Sequence, residues 1–340
     1  MASLPRSAPA WWADRGWRVW PWLPLSACFA LIVACRRLAY RLGWLTVERV
    51  PVPVVIVGNI AVGGSGKTPT VLAVVDRLQR AGWRPGILSR GYGGTLSGPA
   101  AVLSQSKASE VGDEPLLMAR RTGVPVWIGR DRVAVARALL AAHPDVNVLV
   151  SDDGLQHYRL ARDVEVVVLD ESVLGNALPL PAGPLREPLS RLASAQLLLL
   201  HGAVSAGLAA RLPAIPRASL SLRAGRFYRL DDPSQTRSAA DFAGLRLKAL
   251  AGIGRPERFR ETLQAMGLSL AAFEAFPDHH PYASSDLALD GADALLMTEK
   301  DAIKCAGLAP QETWVLPVDA DVDLTFLEPL LKRSHGPQTA

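Results

Sequence analysis

Cysteine is scarce: Cys28, Cys35 and Cys305 are the only three in 340 residues, an odd and scattered set. Such a set excludes a disulfide framework and offers no metal-ligand spacing, so a reducing cytosol fits best. No residue type dominates a long stretch and no internal repeat stands out. With 49% apolar and 20% charged residues, a folded chain with a real core is expected rather than a disordered or fibrous one. The length exceeds that of one ordinary compact domain, and two are expected. Negative charge is in deficit: 32 Asp and Glu face 37 Lys and Arg, a formal net charge of +5. That balance favours an acidic partner. No basic stripe interleaved with aromatics lies outside the N-terminal region, so nucleic acid is not the expected partner, and nothing calls for an obligate protein partner.

Also missing is an unbroken apolar run of the roughly 20 residues that a spanning helix needs. In its place stands Val19 to Cys35, uncharged but interrupted by Pro21 and Pro24, and followed at once by Arg36, Arg37 and Arg41. Trp11, Trp12, Trp17, Trp20, Trp22 and Trp44 crowd the same region. Tryptophan prefers the headgroup level, where the ring is buried and its N–H stays wet, and arginine pairs with lipid phosphate. Residues 1–45 are therefore expected to form a helix lying in, or dipping into, a membrane interface. A cleaved signal peptide and a helix packed on the protein's own core are the alternatives.

From Val52 to Val57 runs a β-branched stretch ending in Gly58, and Thr68 to Ala81 then shows helical periodicity. Further apolar runs at Gly86–Ser89, Val126–Ile128, Val146–Ser151, Val164–Leu169 and Leu197–Leu200 are mostly separated by helix-length segments, among them Glu114–Thr122 and Arg132–Ala142. Continuous rather than alternating apolar strands predict an α/β fold, a mostly parallel sheet with helices on both faces. Ser219–Leu230 reads as an extended connection. A second α/β pattern follows, with strands at Lys248–Ala251, Ala294–Met297 and Trp314–Val318 and helices at Pro256–Met266 and Lys300–Ala306. The expected division is a nucleotide-binding domain over 46–218, a hinge over 219–231 and a smaller α/β domain over 232–340.

Gly63-Gly64-Ser65-Gly66-Lys67-Thr68-Pro69 lies between the first strand and the first helix. Glycines let backbone N–H groups turn toward phosphate oxygens without a Cβ in the way, and the helix N-terminus adds partial positive charge. This is the P-loop pattern, which implies ATP: Lys67 reaches the β and γ phosphates and Thr68 offers its hydroxyl to Mg2+. Ala61 stands where the full pattern asks for glycine. Val148-Leu149-Val150-Ser151 leads into Asp152-Asp153-Gly154, which sets carboxylates at the end of a strand beside the loop. Asp152 is the better magnesium ligand, with Asp153 in support; strand followed by Asp-Asp-Gly is also a common turn.

Taken with Ser89-Arg90-Gly91-Tyr92-Gly93, Gly112-Asp113-Glu114-Pro115, Asp152 to His157, Pro181 to Pro188, Ala251 to Pro256, Phe276 to Tyr282 and Thr298 to Asp301, these motifs closely resemble the tetraacyldisaccharide 4'-kinase family of lipid A synthesis. The resemblance covers nearly the whole chain. It implies transfer of the γ-phosphate of ATP to the 4'-hydroxyl of an anionic acylated disaccharide, the tetraacyldisaccharide 1-phosphate, giving lipid IVA. It also implies attachment through the N-terminal helix to the cytoplasmic face of the bacterial inner membrane. By the same resemblance Asp113 is the base that accepts the hydroxyl proton, oriented by His279. From the residues alone, Asp113 and Glu114 before Pro115 also read as helix-capping chemistry. His280 adjoins His279, and the two are not distinguishable from the sequence. Arg186 joins the catalytic set, because planar guanidinium donors suit phosphate. Arg90, Tyr92, Arg130, Gln156 and His157 are candidate substrate contacts, and Lys300 is a further cation. A membrane-associated P-loop ATPase acting on a protein partner is the alternative; a non-enzymatic scaffold leaves Lys67 and Asp152 unexplained.

Overall fold

The computed structural model describes residues 8–305 and 307–335. Among these, nine strands form one large sheet: β1 (Val54–Gly58), β2 (Pro85–Ser89), β3 (Ala100–Val102), β4 (Val126–Ile128), β5 (Val148–Asp152), β6 (Val164–Leu169), β7 (Leu197–His201), β8 (Arg217–Ala224) and β15 (Val318–Val322). Their spatial order is β15-β8-β7-β6-β1-β5-β2-β4-β3. All neighbours from β8 to β4 run parallel, and only the two outermost pairings are antiparallel. A smaller six-stranded sheet, β10-β9-β14-β13-β11-β12, holds β9 (Phe227–Arg229), β10 (Thr236–Arg237), β11 (Leu247–Ala251), β12 (Leu270–Ala275), β13 (Ala294–Thr298) and β14 (Thr313–Leu316).

Strand β1 shows why the central strands read as unbroken apolar runs. Val55 and Val57 enter one core with Val71, Val75 and Leu78 of α2 (Lys67–Arg80), while Val54 and Ile56 enter another with Val133, Ala136 and Leu139 of α5 (Arg132–Ala142). A strand covered on both faces leaves no position at which a polar residue meets water. The small sheet repeats the plan, with Phe259 and Leu263 of α7 (Pro256–Ala265) on one face and Ala302 and Cys305 of α8 (Glu299–Cys305) on the other. The expected helix end at Ala306 lies outside the described residues.

Two boundaries differ from expectation. Extended backbone over 219–231 divides between the sheets: β8 pairs with β7, β9 pairs with β14, and the chain crosses at residues 225–226. It also crosses back. Strand β15 pairs with β8, and Leu327 and Leu331 of α9 (Leu327–His335) are buried in the core beside α2. Residues 318–335 therefore pack on the first sheet, not the second, because an apolar helix stripe is stabilised only where a core receives it; residues 336–340 lie outside the described ones.

At the N-terminus, a 3-10 turn over Trp17–Trp22 contains Pro21, and α1 (Leu23–Arg41) follows with Pro24 in its first turn, where its missing N–H costs nothing. The stretch Trp17–Arg41 is long and apolar enough to cross a membrane by length and composition, which exceeds the length expected of it. Leu31 and Ile32 are 64% and 65% exposed. Trp17, Trp20 and Trp44 are exposed, as a headgroup belt requires. Trp11 and Trp12 depart from that expectation: both indoles donate to the Pro181 carbonyl, at 3.2 and 2.9 Å, and tie the segment to the first sheet's loops.

Candidate active site

The phosphate loop joins β1 to α2. Gly66, immediately before the helix, has φ +93°, a conformation that glycine adopts without strain, and a Cβ there would meet His201 Nδ1 at 3.4 Å. Ala61 is buried and forms an antiparallel bridge to Leu185, so that position is extended and needs no glycine. The bridge belongs to a short stitch in which Val62 N–H donates to the Pro184 carbonyl (2.9 Å) and Arg186 N–H to Ile60 (2.7 Å). Arg186 is thereby held beside the loop.

Parallel pairing of β1 with β5 sets Asp152 opposite Val57, at the carboxyl edge where the loop begins. Asp152 is buried. Its Oδ2 accepts from Ser89 Oγ (3.0 Å) and its Oδ1 has no hydrogen-bond partner. Burial, with the Glu114 and Asp153 charges nearby, pushes its carboxyl up to about 7, against the smaller opposing pull of Lys67. Asp153 adopts φ +46°. Its Oδ2 accepts from Arg186 Nη1 at 2.7 Å and its Oδ1 lies 3.9 Å from Lys67 Nζ. Burial would raise its carboxyl, but Lys67 and Arg186 outweigh it and hold it below the ordinary value.

Two carboxylates stand side by side, each with a buried oxygen lacking a hydrogen-bond donor and so free to face a cation. Among the described residues no group of three His, Cys, Asp or Glu side chains is arranged to hold a metal ion. The donor set therefore suits a cation that keeps waters and phosphate oxygens in its shell, as Mg2+ does, and not a fully protein-ligated metal.

Asp113 opens α4 (Asp113–Thr122), but the cap position belongs to Gly112, whose φ is +92° and whose Cβ would lie 2.5 Å from the Tyr92 carbonyl. The Asp113 side chain makes no cap. Its Oδ2 instead accepts from His279 Nδ1 at 3.0 Å, across the space between the sheets, and Lys304 Nζ lies 3.9 Å away. Burial alone would raise its carboxyl; the His279 hydrogen bond and the Lys304 charge keep it below the ordinary value, so it is ionised and able to accept a proton. His280 faces elsewhere, stacked on Phe276 with Nε2 3.2 Å from Asp286.

A cleft of about 1840 Å³ is lined by Gly63 to Thr68, Asp152, Asp153, Arg186 and His279, and Asp113 stands behind His279, off the lining itself. At its outer end the lining is Phe29, Ile32, Val33 and Arg36 of α1. One cavity thus runs from the apolar helix to the phosphate loop. A family model described as tetraacyldisaccharide-1-P 4'-kinase (LpxK) matches residues 18–335. The chain belongs to that family.

Relatives agree over full length. A tetraacyldisaccharide 4'-kinase of Azoarcus sp. (strain BH72) is 49% identical, covering 97% of this chain and 96% of its own. One from Dechloromonas aromatica (strain RCB) is also 49% identical, covering 97% and 99%. A crystal structure of LpxK from Aquifex aeolicus in complex with ATP superposes with TM-score 0.80 at 30% identity, covering 93% of this chain and 99% of that one.

Of the residues singled out from the sequence, Arg90, Tyr92, Gln156 and His157 also line the cleft. The Tyr92 ring stands 5.2 Å from that of His279. Gln156 Nε2 donates to the Asn59 carbonyl and to Glu187 Oε1, both at 3.2 Å. Burial, reinforced by the Arg132 and Arg90 charges, pushes the His157 imidazole down to about 4, so it is neutral. Arg130 does not join them: it is exposed and off the cleft lining. Arg132 takes the place expected of it. It is 2% exposed, with Nη2 3.5 Å from the Asp152 carbonyl, and burial pulls its guanidinium down to about 10. Its signal was the cap: Asp131 accepts from Val133 and Ala134 N–H, which fixes Arg132 as the first helical residue, pointing inward. Lys300 bridges the sheets, 3.3 Å from Glu114 and 2.9 Å from Asp278. Lys304, not singled out before, lies too far along α8 to be read as part of a motif.

Proposed function

We propose that the chain transfers the γ-phosphate of ATP to the 4'-hydroxyl of a tetraacyldisaccharide 1-phosphate, giving lipid IVA, at the cytoplasmic face of the bacterial inner membrane. The observation that carries this reading is the single cleft that joins the exposed helix α1 to the phosphate loop. An acylated headgroup lodged there keeps its chains at the apolar end and its sugar near the γ-phosphate.

In this mechanism, backbone N–H groups of residues 63–68 and the Lys67 ammonium grip the triphosphate. Thr68, Asp152 and Asp153 would hold Mg2+, which when bound would supply charge neutralisation at the transferring group. The Asp113 carboxylate takes the hydroxyl proton as the new O–P bond forms and the bond to the departing ADP oxygen breaks, with His279 fixing the carboxylate's direction. Arg186 balances charge on the transferring group, and the approach of the second sheet over the first excludes water that would otherwise be the acceptor.

The test uses purified protein in detergent micelles with labelled ATP, Mg2+ and the disaccharide lipid. Label is expected on the lipid and absent with Lys67→Ala. Undiminished transfer by that variant would refute the site; ATP turnover with no lipid product would favour an ATPase.

A further inference from the structure

His201 ends β7 with its side chain against the phosphate loop, and nothing in the proposed chemistry uses it. Its Nδ1 lies 3.0 Å from the Ser65 carbonyl oxygen and 3.5 Å from Asp170 Oδ2. Both neighbours are acceptors, so Nδ1 carries the proton. Burial, with Arg258 and Arg255 nearby, holds the imidazole below its ordinary value, which leaves Nδ1–H as the ring's one donor.

Behind His201, Asp170 is buried at the end of β6 and is anchored by Ser172 N–H at 2.9 Å. It also receives two cations from the small-sheet side: Arg258 Nη2 at 2.6 Å and Arg255 Nη1 at 3.4 Å. Both arginines stand at the start of α7, directly after Gly254, whose Cβ position is 4.0 Å from Gly64 N. The segment that approaches the phosphate loop is thus the one clamped to Asp170.

We infer that His201 is a positioning residue for the phosphate loop: its Nδ1–H holds the Ser65 carbonyl turned away from the triphosphate, and Asp170 links that hold to Arg255 and Arg258 on the small sheet. A carbonyl that rotated inward would point its oxygen at the phosphates and withdraw the next N–H from them, so fixing one peptide plane preserves an anion cradle. The inference rests on residues 63–68 being the triphosphate site.

The amide nitrogen of asparagine occupies nearly the place of histidine Nδ1, and that of glutamine the place of Nε2. MgATP affinity of the full chain, measured by calorimetry, is therefore compared for His201→Leu, His201→Asn and His201→Gln, with thermal melts confirming that each is folded. His201→Leu and His201→Gln are expected to bind about tenfold more weakly, equivalent to about 1.4 kcal/mol, with His201→Asn restored to within about twofold. Asp170→Asn is expected to cost about threefold alone and nothing further in the His201→Leu background. Unchanged affinity in His201→Leu, or equal loss in all three variants, overturns the inference; additive losses overturn the link through Asp170. Lys67→Ala is the separate control. If MgATP binding survives it, the loop reading itself fails, and if binding needs Lys67 but ignores His201, only the present inference falls. None of these readouts depends on the lipid acceptor.

Discussion

Asp152 and Asp153 are neighbours in sequence with opposite electrostatic fates. Asp152, buried beside the Glu114 and Asp153 charges, is pushed up to about 7, whereas Asp153, at φ +46°, pairs with Lys67 and Arg186 and is held low. The folded chain binds the Asp152 proton more tightly than the unfolded chain, so without metal the contribution of this group to stability falls as pH rises from about 3.8 to about 7 and levels off above. Asp152→Asn removes that buried charge. Its melting temperature in nucleotide-free, metal-free buffer is expected to exceed the parent's by a margin that widens across this window, while transfer is lost; a margin independent of pH would contradict the assignment. Asp113 presents the reverse sign, being ionised throughout the neutral range. Asp113→Asn is expected to cut kcat about 10²- to 10⁴-fold and to leave MgATP affinity unchanged; equal loss of both in the same assay would make Asp113 structural. At this scale the sequence named most of the residues but few of their partners. The Asp113–His279 pairing, implied by the family resemblance and not by any local spacing, joins positions 166 apart.

Elements were more legible than contacts. The β-branched runs of the large sheet, the amphipathic α2 and the capped α5 are all local patterns, and the structure has them within a residue or two of where they are read. The strands not foreseen, β3, β10, β12 and β15, are partly exposed and short, alanine-rich or interrupted by aspartate, so no apolar run marks them. Helix α1 was visible as an apolar stretch, yet only tertiary packing separates its two roles. Ser26 Oγ donates to the Pro179 carbonyl at 2.8 Å and fixes one side, while Leu31 and Ile32 project outward. The double variant Leu31→Glu, Ile32→Glu is expected to lose co-sedimentation with anionic vesicles and to raise KM for the lipid, with an unchanged melting temperature, since these side chains bury little within the protein. A fall in melting temperature with vesicle binding intact would show that α1 serves the core instead.

Across the whole molecule, two sheets are joined by two strand crossings, near residues 225–226 and at Pro317. Ion pairs span the cleft between them: Arg121 donates to both Glu299 oxygens at 2.7 Å, and Lys300 reaches Glu114. Glu299 is buried and the other partners are mostly covered, so removing one member of either pair leaves a poorly solvated charge without its counterion. The C-terminal return is different in kind. Leu327 is fully buried in the large sheet's core, and Leu327→Ala is expected to destabilise the protein by about 2–5 kcal/mol in denaturant melts, lowering the transition that MgATP protects. Loss confined to a transition insensitive to MgATP would assign α9 to the small sheet.

The sequence by itself determined the parallel sheet, the phosphate loop with Lys67 and Thr68, the carboxylates that follow β5 and the apolar N-terminus, because each is a pattern carried by neighbouring residues. Only the tertiary structure decided that Arg132 replaces Arg130 at the cleft, that the His201 ring meets the Ser65 carbonyl, and that the last helix returns to the first sheet; the Asp113–His279 pairing, which the family resemblance implied, was left open against a helix cap by the residues alone. Each of these is a contact between distant segments, fixed by how two sheets pack and cross over, and no local spacing encodes it.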